Sequence, residues 1–179
     1  LVLLILQPKI LRAGYVSRFL LVSKSKSVSR KEIPLSMRRI NEIFYSLQGE
    51  GYHTGMPAVF VRFSGCNLRC SFCDTRHEEG TWMSDEDIVI EVIKYPARVV
   101  ILTGGEPGLW IDERLVDALH HEGKYVCIET NGTCLLPENI DWVTCSPKEG
   151  AELKLDRMDE VKVVYVGQDV SAYLNLSAA

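Results

Sequence analysis

The 179-residue chain has no run of the roughly 18 to 20 apolar residues that a helical membrane span requires, so the sequence excludes such a span. It also lacks an excess of positive charge, with 20 Lys and Arg against 24 Asp and Glu. The net charge of −4 argues against a nucleic-acid partner, whose phosphates require a basic surface. A hydrophobic content of 46% suffices for the core of one domain without disulfides.

Charge is distributed unevenly along the chain. Residues 1–36 carry a net charge of +6, whereas residues 37–179 carry −10. The first apolar run precedes the basic residues, which is the reverse of the order in a secretory signal. A basic, acid-poor leader is also typical of an organelle transit peptide. We expect instead that residues 1–36 are an extension ahead of a start at Met37, and that the protein is cytoplasmic.

The pattern after Met37 predicts an α/β fold with a mostly parallel sheet. Two helices are predicted, one that Ser84 caps and one over residues 111–121. Short segments of β-branched and aromatic residues predict six strands: residues 40–45, 58–63, 99–102, 125–128, 140–144 and 161–166. Polar clusters follow several of these strands, so they are expected to meet at one edge of the sheet, as in an active site.

Three cysteines lie within eight residues, in the run Cys66-Asn67-Leu68-Arg69-Cys70-Ser71-Phe72-Cys73. Thiolates this close need a metal or a cluster to face a common centre. An iron–sulfur cube held by three cysteines leaves one iron open to an exogenous ligand, whereas structural zinc takes four protein ligands. The alternative is therefore a zinc site that recruits a distant fourth ligand: Cys127, Cys134, Cys145 or His77.

The cysteine spacing, with an aromatic residue before the last cysteine, resembles the signature of the radical S-adenosylmethionine (SAM) superfamily. The run Gly104-Gly105-Glu106-Pro107 resembles that superfamily's GGE element. A larger ordered set of motifs resembles the 7-carboxy-7-deazaguanine synthase family: residues 45–51, Arg62, and residues 73–75, 103–107, 129–132 and 146–148. The resemblance covers residues 37–166 and leaves residues 1–36 unmatched.

The resemblance implies conversion of 6-carboxy-5,6,7,8-tetrahydropterin to 7-carboxy-7-deazaguanine with release of ammonia, on the route to queuosine. It implies a [4Fe-4S] cluster, SAM that yields a 5′-deoxyadenosyl radical and is then regenerated, and Mg²⁺. The implied fold is an incomplete, open (β/α) barrel. The implied partners are a reductant protein such as flavodoxin or ferredoxin and a second copy of the chain in a homodimer.

The resemblance also assigns residues to this site, none of them catalytic. The cluster ligands are Cys66, Cys70 and Cys73, and Thr75 binds Mg²⁺. The SAM contacts are Phe72, Cys73, Asp74, Gly105, Ser146, Pro147 and Lys148. The substrate contacts are Leu47, Gln48, Gly49, Glu50, Arg62 and Thr103.

Physical reasons support several of these roles. The Arg62 guanidinium can clamp a carboxylate through two hydrogen bonds. Gly105 lets a ligand approach the backbone, and Glu106 is expected to balance the charge of the SAM amino group.

Two other classes of function remain open at the level of sequence. A glycyl-radical-enzyme activase shares the cysteine spacing but acts on a protein, and a non-catalytic metal-binding module needs only the ligands. Members of the family continue beyond the strand at residues 161–166 with a further SAM-contacting segment and a strand that bears a histidine. No match to that ending follows Gly167, so we expect that the core at residues 37–179 is shortened.

Overall fold

The computed structural model describes residues 2–6, 37–174 and 176. The secondary structure runs β1 (Val2–Leu6), β2 (Met37–Leu47), β3 (Pro57–Phe63), β4 (Thr81–Ser84), α1 (Asp85–Ile93), β5 (Val99–Gly104), a 3₁₀ turn (Pro107–Leu109), α2 (Glu113–His121), β6 (Tyr125–Thr130), β7 (Trp142–Cys145), β8 (Glu160–Tyr165) and α3 (Ser171–Leu174). Of the predicted extension at residues 1–36, residues 2–6 form β1, and residues 1 and 7–36 fall outside these described residues.

The strands form one eight-stranded sheet in the order β1-β8-β7-β6-β5-β3-β2-β4. The five consecutive strands from β3 to β8 in this order pair in parallel, which confirms the mostly parallel α/β prediction. Strands β1, β2 and β4 pair antiparallel at the two sides. Among the described residues the sheet does not close on itself, as expected for an open barrel.

The main core lies between the helices and one face of the sheet. Helix α1 begins at a capping box, in which the Ser84 hydroxyl accepts from the Asp87 backbone N–H and the Asp87 carboxylate accepts from the Ser84 N–H. Helices α1 and α2 bury Ile88, Val92 and Leu115 against this face. Burial of these side chains fixes which face of each helix meets the sheet.

The opposite face of the sheet carries a smaller apolar cluster without helical residues: Ala58, Phe60, Val99, Ile101 and Cys127. These residues come from the first halves of β3, β5 and β6, near the amino ends of the strands. The carboxyl ends of the same strands carry polar side chains on this face, among them Arg62 and Thr103, which lie opposite each other. This face is therefore the interior of the open barrel.

The structure differs from the sequence prediction in its connections. All six predicted strands are present with shifted bounds, and α2 begins two residues late because the Asp112 side chain accepts from the Leu115 N–H. The predicted alternation of strands and helices fails after β6, since residues 131–141 and 146–159 contain no helix. Strand β4 was not predicted, because four residues are too few to show the alternation of apolar and polar residues that is typical of a strand. No helix within the described ranges is long and apolar enough to cross a membrane.

Candidate active site

A cavity of about 490 Å³ opens at the carboxyl ends of the parallel strands. This volume falls within the range of roughly 300–1,000 Å³ that is usual for small-molecule sites. The residues that line it are Glu50, Arg62, Cys66, Leu68, Cys70, Phe72, Cys73, Asp74, Thr75, His77, Thr103, Gly104, Gly105, Glu129, Thr130, Asn131, Ser146, Lys148, Lys162 and Val164. Segments that are far apart in sequence thus meet at one edge of the sheet.

Twelve of the sixteen residues predicted to form the site line this cavity. The other four are Leu47, Gln48, Gly49 and Pro147. Leu47 ends β2 with 62% of its surface exposed, and Pro147 is buried between two residues that do line the cavity. Gln48 reaches the site indirectly, because its Nε2 donates to the Glu129 carboxylate at 2.9 Å.

The cysteine loop after β3 is held by the loop after β6. The side-chain amide of Asn67 donates to the Thr133 hydroxyl at 2.7 Å and accepts from the Asn131 amide at 3.0 Å. The Gly65 N–H donates to the His77 carbonyl at 2.6 Å and ties the base of the loop to its far end. These bonds fix the ends of the loop, whereas the three thiols lie between them.

Gly104 and Gly105 hold the end of β5 against the start of the cysteine loop. A Cβ at Gly105 would lie 2.0 Å from the Gly65 carbonyl oxygen, and one at Gly104 would lie 2.2 Å from the Phe63 carbonyl oxygen. The Gly105 N–H donates to Phe63 at 3.1 Å, and the next N–H, of Glu106, donates to Gly65 at 2.9 Å. Glycine is thus required here by backbone packing, which the sequence interpretation of Gly105 did not anticipate.

Glu106 is fully buried and does not line the cavity. Its carboxylate accepts from the Thr130 hydroxyl at 2.7 Å, the Asn131 N–H at 2.7 Å and the Gly108 N–H at 2.8 Å. Burial raises the pKa of Glu106 despite these bonds. The structure therefore gives Glu106 the role of holding the loop after β6, and its expected contact with the SAM amino group stays a prediction.

The three cysteines of the loop form a donor set that suits an iron–sulfur cluster. Cys66, Cys70 and Cys73 are free thiols along one wall of the cavity. Burial raises the pKa of Cys66, and the neighbouring charges of Glu106, Cys70 and Cys73 raise it further. A bound cation would lower this pKa and favour the thiolates.

The described residues do not form a single-ion metal site. Among them, no three His, Cys, Asp or Glu side chains, the three loop cysteines included, are grouped closely enough to hold one metal ion. Cys127 and Cys145 are buried in the sheet, and burial raises the pKa of Cys145 to about 12. Both residues therefore behave as small hydrophobic core residues.

Thr75 and Asp74 offer oxygen atoms to a hard cation at the mouth of the cavity. The Thr75 hydroxyl donates to the Asp74 carboxylate at 3.2 Å, and both side chains line the cavity. Mg²⁺ prefers oxygen ligands and keeps several waters, so two protein oxygens beside a carboxylated ligand fit its chemistry.

Lys148 brings a positive charge to the side of the cavity near the cysteines. Its ammonium donates to the Ser146 carbonyl at 2.6 Å and to the Ser146 hydroxyl at 2.7 Å. Burial lowers the pKa of Lys148, and the largest opposing effect comes from Cys70. A partly desolvated cation with neutral partners favours the binding of an anion beside it.

The sheet side of the cavity holds a charge pair that the sequence did not predict. The Glu129 carboxylate lies 3.3 Å from the Lys162 ammonium and also accepts from the Thr103 hydroxyl at 3.1 Å. The same ammonium donates to Glu50 at 3.1 Å. Burial raises the pKa of Glu129, but Lys162 and the hydrogen bonds outweigh burial and lower it. The lone lysine within the apolar strand at residues 160–165 was the available signal.

Arg62 lies at the same depth, opposite Thr103. Its Nε donates to the Glu42 carboxylate at 2.7 Å, and its guanidinium lies 5.7 Å from the centre of the Phe44 ring. These contacts fix the orientation of the side chain. Within the described part of the chain, its terminal nitrogens have no hydrogen-bond partner, so they remain free to donate to a ligand.

Comparison with known proteins identifies relatives. The family model described as the radical SAM superfamily matches residues 60–173. The 7-carboxy-7-deazaguanine synthase of Bacteroides thetaiotaomicron is 74% identical over 142 residues, which are 79% of this chain and 78% of that protein. The synthase of Bradyrhizobium diazoefficiens is 41% identical over an alignment of 148 positions, which covers 70% of each chain.

The fold also resembles a solved structure, the crystal structure of QueE from Escherichia coli. The TM-score is 0.57 at 37% sequence identity, and the match covers 65% of this chain. The chain spans 62% of the length of that solved protein.

Proposed function

The chain belongs to the 7-carboxy-7-deazaguanine synthase family of the radical SAM superfamily, and from this premise we propose its reaction. It converts 6-carboxy-5,6,7,8-tetrahydropterin to 7-carboxy-7-deazaguanine with release of ammonia, as a step of queuosine biosynthesis. The observation that carries this proposal is the cavity of about 490 Å³, which joins the cysteine loop to a polar sheet face of matching chemistry.

The loop side of the cavity holds the cofactors in this proposal. Cys66, Cys70 and Cys73 bind a [4Fe-4S] cluster, which with bound SAM supplies the radical that abstracts a hydrogen atom from the substrate. Lys148 places its charge beside Cys70 and so offsets the negative charge of thiolate ligands. Ser146 orients that ammonium through its carbonyl and hydroxyl oxygens. Phe72 and Gly105 complete the wall against which SAM binds.

The sheet side of the cavity binds the pterin in this proposal. The free terminal nitrogens of Arg62 donate to its carboxylate, which Mg²⁺ held by Thr75 also orients. The Glu129 carboxylate and the Thr103 hydroxyl present an acceptor and a donor to the polar edge of the ring. Gln48 acts behind Glu129 by fixing one of its oxygens.

A radical SAM enzyme requires a reductant, and we propose flavodoxin or ferredoxin for this role. We further propose a cytoplasmic protein, because a reducing compartment keeps the three cluster thiols free. A homodimer without nucleic-acid or membrane partners completes the proposal. Light scattering on the purified protein tests the dimer, for which a mass near 40 kDa is expected, about twice the 20.2 kDa of one chain.

The proposed reaction is tested by an anaerobic assay. The reconstituted protein is incubated with SAM, a reductant, Mg²⁺ and 6-carboxytetrahydropterin, and mass spectrometry follows 7-carboxy-7-deazaguanine. We expect product from the wild type and none from Cys70→Ala, with less iron bound per chain. Cys134→Ala is the matched control, because Cys134 is a free cysteine outside the cavity, and its product yield should match the wild type.

The same assay separates the alternative functions. Bound iron and 5′-deoxyadenosine without the deazaguanine would contradict the pterin substrate and favour another radical SAM activity, such as an activase. Zinc without iron or sulfide after anaerobic purification would contradict the radical chemistry and favour a metal-binding module. Omission of Mg²⁺ should lower the yield in the wild type and have less effect in Thr75→Ala, whose cation site is already impaired.

A further inference from the structure

A second, much smaller cavity lies on the sheet face beside the substrate side of the active site. Its volume is about 10 Å³, close to the roughly 10–15 Å³ that one water molecule needs on this measure. Three polar atoms of residues that line it are buried and have no hydrogen-bond partner among the described residues: Glu160 Oε1, His53 Nε2 and Trp142 Nε1. They belong to three separate segments of the chain, namely β8, the turn after β2, and β7.

Of these three residues, Glu160 most clearly requires a hydrogen-bond donor. The residue is 2% exposed, and only its Oε2 is bonded, to the Tyr52 N–H at 3.3 Å and the Thr144 hydroxyl at 3.5 Å. Gly51 covers the carboxylate with φ +73°, and a Cβ there would lie 2.2 Å from Oε1. A buried carboxylate oxygen without a donor is costly, so a donor is expected at this position.

The three atoms together specify the chemistry of the missing partner. The His53 Nδ1 lies 3.2 Å from the Met56 thioether, which can only accept, so Nε2 of the neutral ring is an acceptor. Burial lowers the pKa of His53, which favours this neutral form. Glu160 Oε1 is an acceptor as well, whereas the indole N–H of Trp142 is a donor. The ligand must therefore donate twice and accept once.

Water meets this requirement, and other small ligands do not. An ammonium ion has no acceptor for the Trp142 N–H, and a small anion has no donor for Glu160 and His53. Three hydrogen bonds are also the usual number for a buried water in a globular protein. We propose that this cavity is a specific site for one water molecule that bridges Glu160, His53 and Trp142.

The water joins the turn at residues 51–56 to strands β7 and β8. This turn continues directly from Gln48 and Glu50, which contact the Glu129–Lys162 pair of the active site. The water thus positions the substrate-binding segment from behind. This last consequence rests on the proposed function, whereas the water site itself does not.

A crystal structure of the wild type at better than about 1.5 Å resolution tests the site directly. We expect one isolated density peak within hydrogen-bond distance of all three atoms. A cavity without density would overturn the proposal, whatever the activity of the protein.

Trp142→Phe provides a test in solution, because it removes the N–H donor, although the smaller ring also loses part of its packing on Tyr52 and His53. If water is bound, the variant loses a satisfied hydrogen bond as well as this packing, and the melting temperature should fall by about 2–4 °C or more. If the cavity is dry, the variant loses packing but also removes an unsatisfied donor, and the melting temperature should fall by less than about 2 °C. Trp82→Phe is the matched control, since Trp82 is 55% exposed and should change little.

Kinetics distinguish positioning of the substrate segment from a general loss of stability. Trp142→Phe should raise the KM for the pterin about tenfold and leave kcat within a factor of about two, since it changes binding geometry behind Gln48. A loss of kcat in Trp142→Phe as large as its change in KM would contradict the positioning role. A similar change in KM in Trp82→Phe would contradict it as well. An inactive wild type with a filled water site would contradict the proposed function and leave the water site standing.

Discussion

Two half-buried lysines face the same cavity, and their environments shift their pKa values in opposite directions. Burial lowers the pKa of Lys162, but the carboxylates of Glu129 and Glu50 outweigh burial and raise it. Burial also lowers the pKa of Lys148, and the charges of Cys70, Cys145 and Glu106 do not outweigh burial, because the hydrogen-bond partners of the ammonium are neutral oxygens of Ser146. The sheet side of the cavity is therefore balanced in charge, whereas the loop side carries an uncompensated cation.

The difference shows which half of the site is organised before any ligand binds. Strand register holds Arg62, Thr103 and Glu129 at one depth, and the bonds from Thr103 to Glu129 and from Arg62 to Glu42 complete the sheet side. The cysteine loop is bonded to other segments at Gly65 and Asn67, and the charge of Lys148 can attract thiolates or a bound carboxylate. Removal of each lysine should therefore affect the stability of the cluster-free protein with opposite sign.

The largest effect is expected for Lys162→Met. The substitution leaves the Glu129 carboxylate buried without its cation, and the loss of one partner of a buried pair costs about 3–5 kcal/mol. Urea unfolding of the cluster-free protein measures this loss. Lys94→Met is the control, because Lys94 pairs with Glu91 on the exposed surface and should cost less than about 0.5 kcal/mol. A similar small loss in both variants would refute the charge-balanced sheet side.

The sequence predicted the loop side of the site better than the sheet side. The thiols and Ser146–Lys148 belong to contiguous motifs whose spacing carries their chemistry. Glu129 and Lys162 pair only because β6 and β8 lie on either side of β7, and the residues of a strand do not indicate its neighbours in the sheet. Alternation predicts the face on which Lys162 lies but not the carboxylates that it meets.

The strands and the first two helices were similarly predictable, since their apolar periods and caps are local. The direction of the Glu106 side chain was not, because a GGE turn fits a carboxylate inside the core as well as one in the cavity. The irregular connections after β6 and β7 carry no period, so their path depends on tertiary contacts, such as the bond from the Lys154 N–H to the Gly132 carbonyl.

A double-mutant cycle sharpens the comparison on the sheet side. Glu129→Gln alone leaves Lys162 with Glu50 only, and Lys162→Met alone leaves Glu129 uncompensated. The double variant removes both charges, so its loss of stability should fall short of the sum of the single losses by about 1–3 kcal/mol. Urea unfolding of the four proteins gives this coupling energy. Additive losses would mean that the two charges do not interact across the sheet.

Lys148→Met should stabilise the cluster-free protein. The side chain keeps its volume and loses a charge that burial penalises, so the free energy of unfolding should rise by about 1 kcal/mol. The same variant should bind SAM more weakly in calorimetric titrations of the cluster-loaded protein. Lys154→Met is the matched control, since Lys154 is exposed in the same connection and should change neither quantity. A destabilised Lys148→Met would show that Lys148 is already paired.

The smallest expected effect is a pH dependence. It concerns the difference in the free energy of unfolding between the wild type and Lys148→Met. Below the lowered pKa of folded Lys148, the lysine is protonated in both the folded and the unfolded wild type, so the full burial penalty applies. As the pH rises through the lowered pKa of Lys148, the folded state releases its proton while the unfolded state, with a pKa of about 10.4, retains it. The wild type then gains stability relative to the variant, and the difference between them should narrow.

Lys162 changes the free energy of unfolding with the opposite sign, and it does so at a higher pH than Lys148. Its pKa is raised in the folded protein, so its contribution is complete below about pH 10.4 and is lost only as the pH rises through the folded value. Between about pH 7 and 10, therefore, only Lys148 changes its contribution to the free energy of unfolding, whereas the contribution of Lys162 stays constant. Urea unfolding of the wild type and Lys148→Met across this pH range isolates the contribution of Lys148. The other titrating groups are common to the two proteins, so their contributions cancel. If the difference in the free energy of unfolding stays constant or widens with pH, Lys148 contacts solvent or an anion. The charges on the two sides of the cavity would then be equally balanced.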